Sequence, residues 1–427
     1  MEILDEHIVP TLTLTAADVA AHRELMREKR AKVLTLDFRR EVATGRGWSL
    51  EDDKFGVQIF AKPLAGAGVS EYICHGTLPT TVPNLVEALY ADDSAAQKLV
   101  DSILLESDFI NAGVLSALET RTKLDPGLFL GLKYTKFSIP MSSTPRDVCF
   151  LEHSGTTTGA KGEHTFFVLR ESVAVPSFPE AKGTLRAATA SSYVFAATQR
   201  GDVEVTMRWF LDPSGTSLLL HQGASKVRAM LLRIATLPQF RRVVTSPLST
   251  SWVPDAERKM CSICNKRFNA LRSKHHCRLC GEIMCSGCTT KVLYVPACAS
   301  QKVTGKYCGD CIQQAKGPAG RPPKDSKRKG SAASTVASGQ DIDDSASEAS
   351  SVRSMRSVLS TRSMHSIREN STSVSSVSSA TSSQGTREAA AATAPIETGF
   401  VVCEFKDGVV NAVQGDTAPS AKSEVDV

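Results

Sequence analysis

The first 244 residues alternate short apolar runs with polar stretches, and the period of the runs changes along the chain. Thr15 stands as a helix N-cap, with Val19, Leu25 and Met26 supplying the apolar face behind it. Phe55–Phe60 and Glu71–His75 read as strands. Pro83 sits where it opens a helix carrying Leu85, Val86, Leu89 and Tyr90. Ala96, Leu99, Ile103 and Leu104 predict a second helix over Ala95–Leu105. Strand-like runs follow at Gly113–Thr122, Leu128–Ile139, Val148–His153, Thr165–Val173, Arg186–Ala197 and Val203–Leu211. Val227, Met230, Leu231, Ile234 and Leu237 then recur at helical spacing ahead of Pro238.

The pattern changes character at Trp252, where a cysteine-rich, basic stretch begins and runs to about Gln314. From Ser331 to Ser383, 20 of 53 residues are serine, and no aromatic residue lies between Tyr307 and Phe400. So little apolar surface cannot offset the entropy of ordering, so residues 317–427 are expected to form a disordered Ser/Arg-rich tail. Serines interspersed with Arg353, Arg356, Arg362 and Arg368 make that tail accessible to kinases in general. Near its end, Phe400–Phe405 and Val409–Val413 flank Asp407-Gly408, a hairpin signal.

Composition narrows the function classes. A chain of 427 residues, 41% apolar, can form two or three domains without disulfide support. It contains no apolar run of the roughly 18 residues needed to span a bilayer. The opening MEILDEHIVP lacks a basic segment followed by an apolar one, so a secretory leader is not expected and a reducing, cytoplasmic setting is. Asp147, His153 and His164 fall within one region, but polar groups near strand ends are usually solvated or capping, and no catalytic constellation stands out. The chain is expected not to be an enzyme.

Eight of the 12 cysteines form four C-x-x-C pairs: Cys261/Cys264, Cys277/Cys280, Cys285/Cys288 and Cys308/Cys311. Each pair lets two thiolates from one tight turn reach a single metal at the tetrahedral spacing zinc prefers. Eight ligands suffice for two closed zinc sites, and closed sites of four thiolates are structural. About 60 residues bury little core alone, so the metal supplies folding energy to this segment. Redox C-x-x-C motifs come singly, and a disulfide array does not suit a chain with no export signal.

The flanking residues carry a resemblance. Trp252-Val-Pro-Asp255, SKHHCRLCG (Ser273–Gly281) and KYCGDC (Lys306–Cys311) closely resemble the FYVE zinc finger. The resemblance implies a cross-brace, with Cys261, Cys264, Cys285 and Cys288 on one zinc and Cys277, Cys280, Cys308 and Cys311 on the other. It also implies recognition of phosphatidylinositol 3-phosphate on early endosomes. Lys274, His275, His276, Arg278 and Lys306 would surround the phosphates with charge-assisted hydrogen bonds. Asp255 would accept from inositol hydroxyls and repel additional phosphates. Ala270 and Leu271 occupy the loop that in the family dips into the bilayer; the alternative is that Leu271 packs under the finger. Ser273 and Lys306 depart from the family's arginines, and Lys lacks the bidentate fork of Arg. From Trp252 to Lys316, eleven Lys or Arg stand against four Asp or Glu, a balance that suits an anionic partner. No nucleic acid partner is expected.

The N-terminal element order resembles the START helix-grip fold, in which a curved antiparallel sheet wraps a long C-terminal helix. VPNLVEALY (Val82–Tyr90) and PRDVCFLEH (Pro145–His153) are its two local matches. The resemblance implies space for a sterol or a phospholipid acyl chain between sheet and helix. The alternative is that side chains fill that space and the domain binds proteins. The expected fold class is α+β: a START-like domain at 1–245, a two-zinc cross-brace finger at 252–316, and the Ser-rich tail. The expected function is a non-enzymatic peripheral membrane adaptor. Two alternatives are a zinc-stabilised protein-interaction module that binds a small GTPase, and a lipid-transfer protein.

Overall fold

The computed structural model describes residues 9–64, 69–140, 142–214, 223–297 and 299–317, with the backbone of strands at 401–406 and 409–414. The Ser-rich segment, Cys298 and the Asp407-Gly408 turn lie outside the described residues.

Ten strands form one sheet. They are β1 (Ser49–Lys54), β2 (Val57–Pro63), β3 (Ser70–Leu78), β4 (Phe109–Glu119), β5 (Phe129–Phe137), β6 (Arg146–Thr158), β7 (His164–Ser172), β8 (Leu185–Arg186), β9 (Ala188–Ala197) and β10 (Val203–Asp212). Their order is β1-β2-β3-β10-β9-β7-β6-β5-β4, all antiparallel, with short β8 added parallel to β6. β3 and β10 join the first and last strands of the sheet sequence at its middle, pairing Cys74 with Met207. Because side chains alternate across a strand, each strand feeds two cores. Phe166 and Val168 of β7 face a long helix, α5 (Gly223–Thr245), through Leu231 and Ile234. Their neighbours Phe167 and Leu169 face the opposite side, where Met26 of α1 (Ala16–Leu34) packs with Leu130, Leu132 and Leu151. Thr15 caps α1 as predicted, in a reciprocal capping box with Asp18.

Two shorter helices complete the grip: α3 (Val82–Leu89), capped by Thr81 with Pro83 in its first turn, and α4 (Ser94–Leu105), capped by Asp93. A further short helix, α2 (Phe38–Thr44), and β1 have no counterpart in the periodicity reading. β1 reads Ser-Leu-Glu-Asp-Asp-Lys and buries only Asp52, which pairs with Arg228 of α5. The closing helix also outruns its predicted end, continuing through Pro238 to Thr245. Proline removes a helix hydrogen bond at a cost of about 3 kcal/mol, and the turns beyond it are held from outside. Phe240 and Val243 are buried, and Arg241 donates to the carbonyls of Glu87, Ala88 and Tyr90 at 2.9, 2.9 and 2.7 Å, closing the end of α3.

The inner face of the sheet carries a buried ionic group. Lys133 of β5, Glu152 of β6 and Arg170 of β7 stand side by side, with Lys133 Nζ 2.5 Å and Arg170 Nε 2.7 Å from the Glu152 carboxylate. Thr135 Oγ1 donates to Asp101 of α4 at 2.6 Å. Burial would raise the Glu152 carboxyl, but the charges of Lys133 and Arg170 outweigh it and hold the pKa down. Asp101 goes the other way, raised by burial.

Above α4 and α5 lies the finger. It consists of β11 (Lys274–His276) paired with β12 (Ile283–Cys285), the ribbon β13 (Thr289–Tyr294) with β14 (Val303–Cys308), and α6 (Gly309–Gln314). Its core is continuous with that of the grip: Met284, Val292, Tyr294 and Tyr307 belong to the same buried cluster as Leu231 and Val243 of α5. Arg242 of α5 donates to the carbonyls of Ala315 and Gly317 at 2.9 and 2.7 Å, while its other nitrogens hold Asn84 and Glu87.

Candidate functional site: a two-metal finger and its basic face

The eight paired cysteines gather into two quartets, Cys261/Cys264/Cys285/Cys288 and Cys277/Cys280/Cys308/Cys311. Pairs one and three share a centre, as do pairs two and four, which is the expected cross-brace. A Zn–S bond of about 2.3 Å sets a tetrahedral edge of about 3.8 Å. The Cys264–Cys285 and Cys277–Cys311 sulfurs are 3.8 Å apart and the Cys280–Cys308 pair 3.9 Å, so both quartets fit zinc. The amides of Cys285 and Cys308 donate to the sulfurs of Cys261 and Cys277 at 3.3 Å, and such donors stabilise thiolate.

The first two pairs sit in matching knuckles. In each, the residue after the second cysteine donates its amide to the first cysteine's carbonyl at 2.9 Å: Asn265 to Cys261, Gly281 to Cys277. Both residues have positive φ, 53° and 74°. Position 281 is closed to other residues for a second reason, since a Cβ there would lie 2.4 Å from the Ser251 carbonyl.

The predicted basic cluster is present, but the strand period of two divides it. Lys274 and His276 face the segment Trp252–Asp255. Lys274 Nζ contacts the Asp255 carbonyl, and His276 Nε2 donates to the Val253 carbonyl at 2.9 Å. The His276 ring stacks on Trp252 with centroids 4.9 Å apart. Asp255 Oδ1 is 3.7 Å from His276 Nε2. His275 points the other way, its Nδ1 3.3 Å from Lys306 Nζ and its Nε2 3.3 Å from Ser273 Oγ. An ammonium only donates, so Nδ1 accepts and the proton of a neutral ring lies on Nε2. Burial and the charges of Lys306 and Lys291 hold the His275 pKa below its ordinary value. Arg278 is tied to this side through its amide, which donates to the Lys306 carbonyl at 2.9 Å.

Leu271 does not pack under the finger. The Asn269–Arg272 turn, closed by the Arg272 amide on the Asn269 carbonyl at 3.0 Å, presents Leu271 at 96% exposure with Ala270 beside it. Arg272 leans back on the Arg267 carbonyl at 3.3 Å.

Between α5 and the sheet lies an apolar cavity of about 280 Å³, bounded by Leu104, Phe137, Ile139, Trp209 and Met230 among others. Asp108, Lys226 and Arg233 are the charged side chains lining it. A smaller void of about 20 Å³ behind it shares Leu104 and Met230 and reaches Arg170 of the buried ionic group. Sequence periodicity marked the walls of this space without showing that it is open.

Comparison with known proteins separates the two parts of the chain. Residues 251–317 match the family model described as the FYVE zinc finger. A cattle protein named zinc finger FYVE domain-containing protein 26 is 32% identical over 96 residues, 21% of this chain and 4% of its own length. A human 1-phosphatidylinositol 3-phosphate 5-kinase is 39% identical over 64 residues, 15% of this chain and 3% of its own. The chain thus spans only a few per cent of the length of these relatives. Among solved structures, human STARD10 aligns over 48% of this chain and 80% of its own at 16% identity, with a TM-score of 0.37. Human StAR-related lipid transfer protein 5 aligns over 52% and 94% at 16% identity, with a TM-score of 0.35. Residues 251–317 therefore carry the match to the FYVE zinc finger, and they follow an N-terminal domain in which a ten-stranded, mainly antiparallel sheet packs against α5.

Proposed function

We propose that this chain is a non-enzymatic peripheral membrane adaptor whose finger binds phosphatidylinositol 3-phosphate on endosomal membranes. The reading is carried by the finger's basic residues: Lys274 on one face, Lys306 on the other and Arg278 between Cys277 and Cys280 border the second zinc knuckle, and an exposed leucine projects from a neighbouring turn. Basic groups beside an apolar tip suit a surface with anionic headgroups above hydrocarbon. Two relatives are named as kinases of phosphatidylinositol 3-phosphate, and the similarity to them is confined to short segments of 64 and 74 residues. Asp255 lies on the side of Lys274 and His276, where its carboxylate disfavours further phosphates.

The apolar cavity supports a second role, holding an acyl chain or similar lipid within the grip. The proposed arrangement is one protein with two lipid contacts, a headgroup at the finger and a hydrocarbon chain beneath α5. Folding boundaries near residues 245 and 317 and a peripheral cytoplasmic location belong to the same proposal. Vesicle sedimentation against a panel of phosphoinositides tests it, using intact protein and Arg278→Ala. Preferential binding to the 3-phosphate that Arg278→Ala abolishes is the expected result; equal binding to all vesicles, or none, overturns it.

A further inference from the structure

The ribbon β13–β14 has the proposed headgroup site at one end and the cavity wall at the other. At the near end, β13 follows Cys288, and β14 carries Lys306 and the zinc ligand Cys308. Six extended residues then span about 20 Å. At the far end, Val295 is buried against Leu105, Phe109 and Ala112 of the grip, and its amide donates to Ser102 Oγ at 2.9 Å. Lys302 Nζ, just ahead of the returning strand, donates to the carbonyls of Ser107 and Phe109 at 3.0 and 2.7 Å. The segment held by these two residues is itself the cavity wall, since Leu104, Leu105 and Asp108 line the space.

Other lining residues are tied to the same segment. Arg233 of α5, another lining residue, donates to the Leu104 carbonyl at 3.2 Å and pairs with Glu106 at 2.6 Å. The Asp108 carbonyl accepts the Ser138 amide at 2.8 Å from the next loop of the wall. Glu106, at the centre, has a φ of 51°, a conformation a non-glycine residue adopts only when its surroundings enforce it. A ligand that fills the cavity therefore bears on the same short segment that positions the finger's ribbon: Leu105 meets both, and the lining residues Leu104 and Asp108 alternate with the ribbon's contacts at Ser102, Ser107 and Phe109.

We propose that the β13–β14 ribbon couples the two lipid contacts, so that a hydrocarbon chain in the cavity strengthens headgroup binding at the finger. The coupling rests on the two-contact reading above. Filling the cavity orders segment 102–109, the ribbon anchored on it loses less freedom when the headgroup binds, and the linkage is reciprocal.

Full-length, zinc-loaded protein tests this by titration with soluble dibutanoyl phosphatidylinositol 3-phosphate, with and without saturating fluorescent dodecanoic acid. The expected result is headgroup affinity about fivefold tighter with the fatty acid present. Lys302→Ala, at an exposed side chain, and Val295→Ala each bring the two affinities together while both ligands still bind. Equal affinities in the native protein, with both ligands bound, overturn the coupling. Headgroup binding without fatty-acid uptake overturns the cavity reading instead. The coupling is then decided by amide exchange over 102–109, which must slow on headgroup binding in native protein and not in Lys302→Ala. Unchanged exchange overturns it too, and a protein that binds neither probe overturns both readings.

Discussion

The imidazole of His276 lies on the indole of Trp252 with centroids 4.9 Å apart, while its Nε2 donates to the Val253 carbonyl at 2.9 Å. A residue expected to touch phosphate is thereby engaged in holding the segment that carries Asp255. Trp252→Ala, which removes no charge, is expected to weaken phosphoinositide binding about tenfold, about 1.4 kcal/mol, while zinc content stays at two per chain. Trp252→Phe should restore most of the loss by keeping a stacking face. Full affinity in Trp252→Ala would show that the stack has no part in binding.

Leu271 is 96% exposed, so its truncation should leave thermal stability unchanged. Membrane binding is a different matter. A leucine fully buried in the bilayer is worth about 1.5–3 kcal/mol, and Leu271→Asp should weaken vesicle binding by at least about tenfold with no change in affinity for a soluble headgroup. Equal vesicle binding by the two proteins would remove the insertion step.

The common core of finger and grip gives metal removal a wider effect than loss of the finger alone. Met284 and Tyr307 share one buried cluster with Leu231 of α5. Chelation should release two zinc ions per chain and lower the melting temperature of the grip as well. Cys277→Ser is expected to lose the second site first and to show an intermediate melting temperature. A grip transition unmoved by chelation would mean that the shared core contributes nothing to its stability.

Within the sheet, Glu152→Gln leaves Lys133 and Arg170 buried together without a counter-charge and should destabilise by about 3–5 kcal/mol. Glu152→Gln combined with Lys133→Met should recover part of that loss, because one of the two uncompensated buried cations is gone. Chemical denaturation of the single and double variants measures both steps.

Asp101 sets a pH dependence. Its folded pKa is raised by burial above the ordinary 3.8, so the neutral acid is the form that the fold favours. Its contribution to stability is therefore present below 3.8 and lost as pH rises through the folded value. Asp101→Asn keeps an acceptor for Thr135 without the charge, so its stability relative to the native protein should increase as pH rises from about 4. A difference between the two proteins that stays flat with pH would contradict the assignment.

Much of this molecule was legible in the chain because its signals are local. C-x-x-C turns, Thr15 as a cap, and Pro83 in a first turn each declare themselves within a few residues. The elements that escaped are decided by distant partners. Nothing within Ser49–Lys54 marks it as a strand, because its buried group is an aspartate matched by Arg228 on a helix far along the chain. Helix α5 passes Pro238 because Arg241 and Arg242 find carbonyls on α3 and on the finger. The basic cluster was found by composition, yet its division into two faces follows from pairing Lys274–His276 with Ile283–Cys285. The contact of Val295 with Ser102 joins residues 193 positions apart and has no local trace.

The cross-brace has a consequence for how the chain matures. Its second centre needs Cys311, so neither α4 nor α5 can gain its outer cover until residues well beyond the grip have left the ribosome. The sheet and its helices are made first and wait with that face bare. The second metal centre can close only after the grip's own residues have been made, and a cell short of zinc should accumulate grip domains whose outer face stays uncovered.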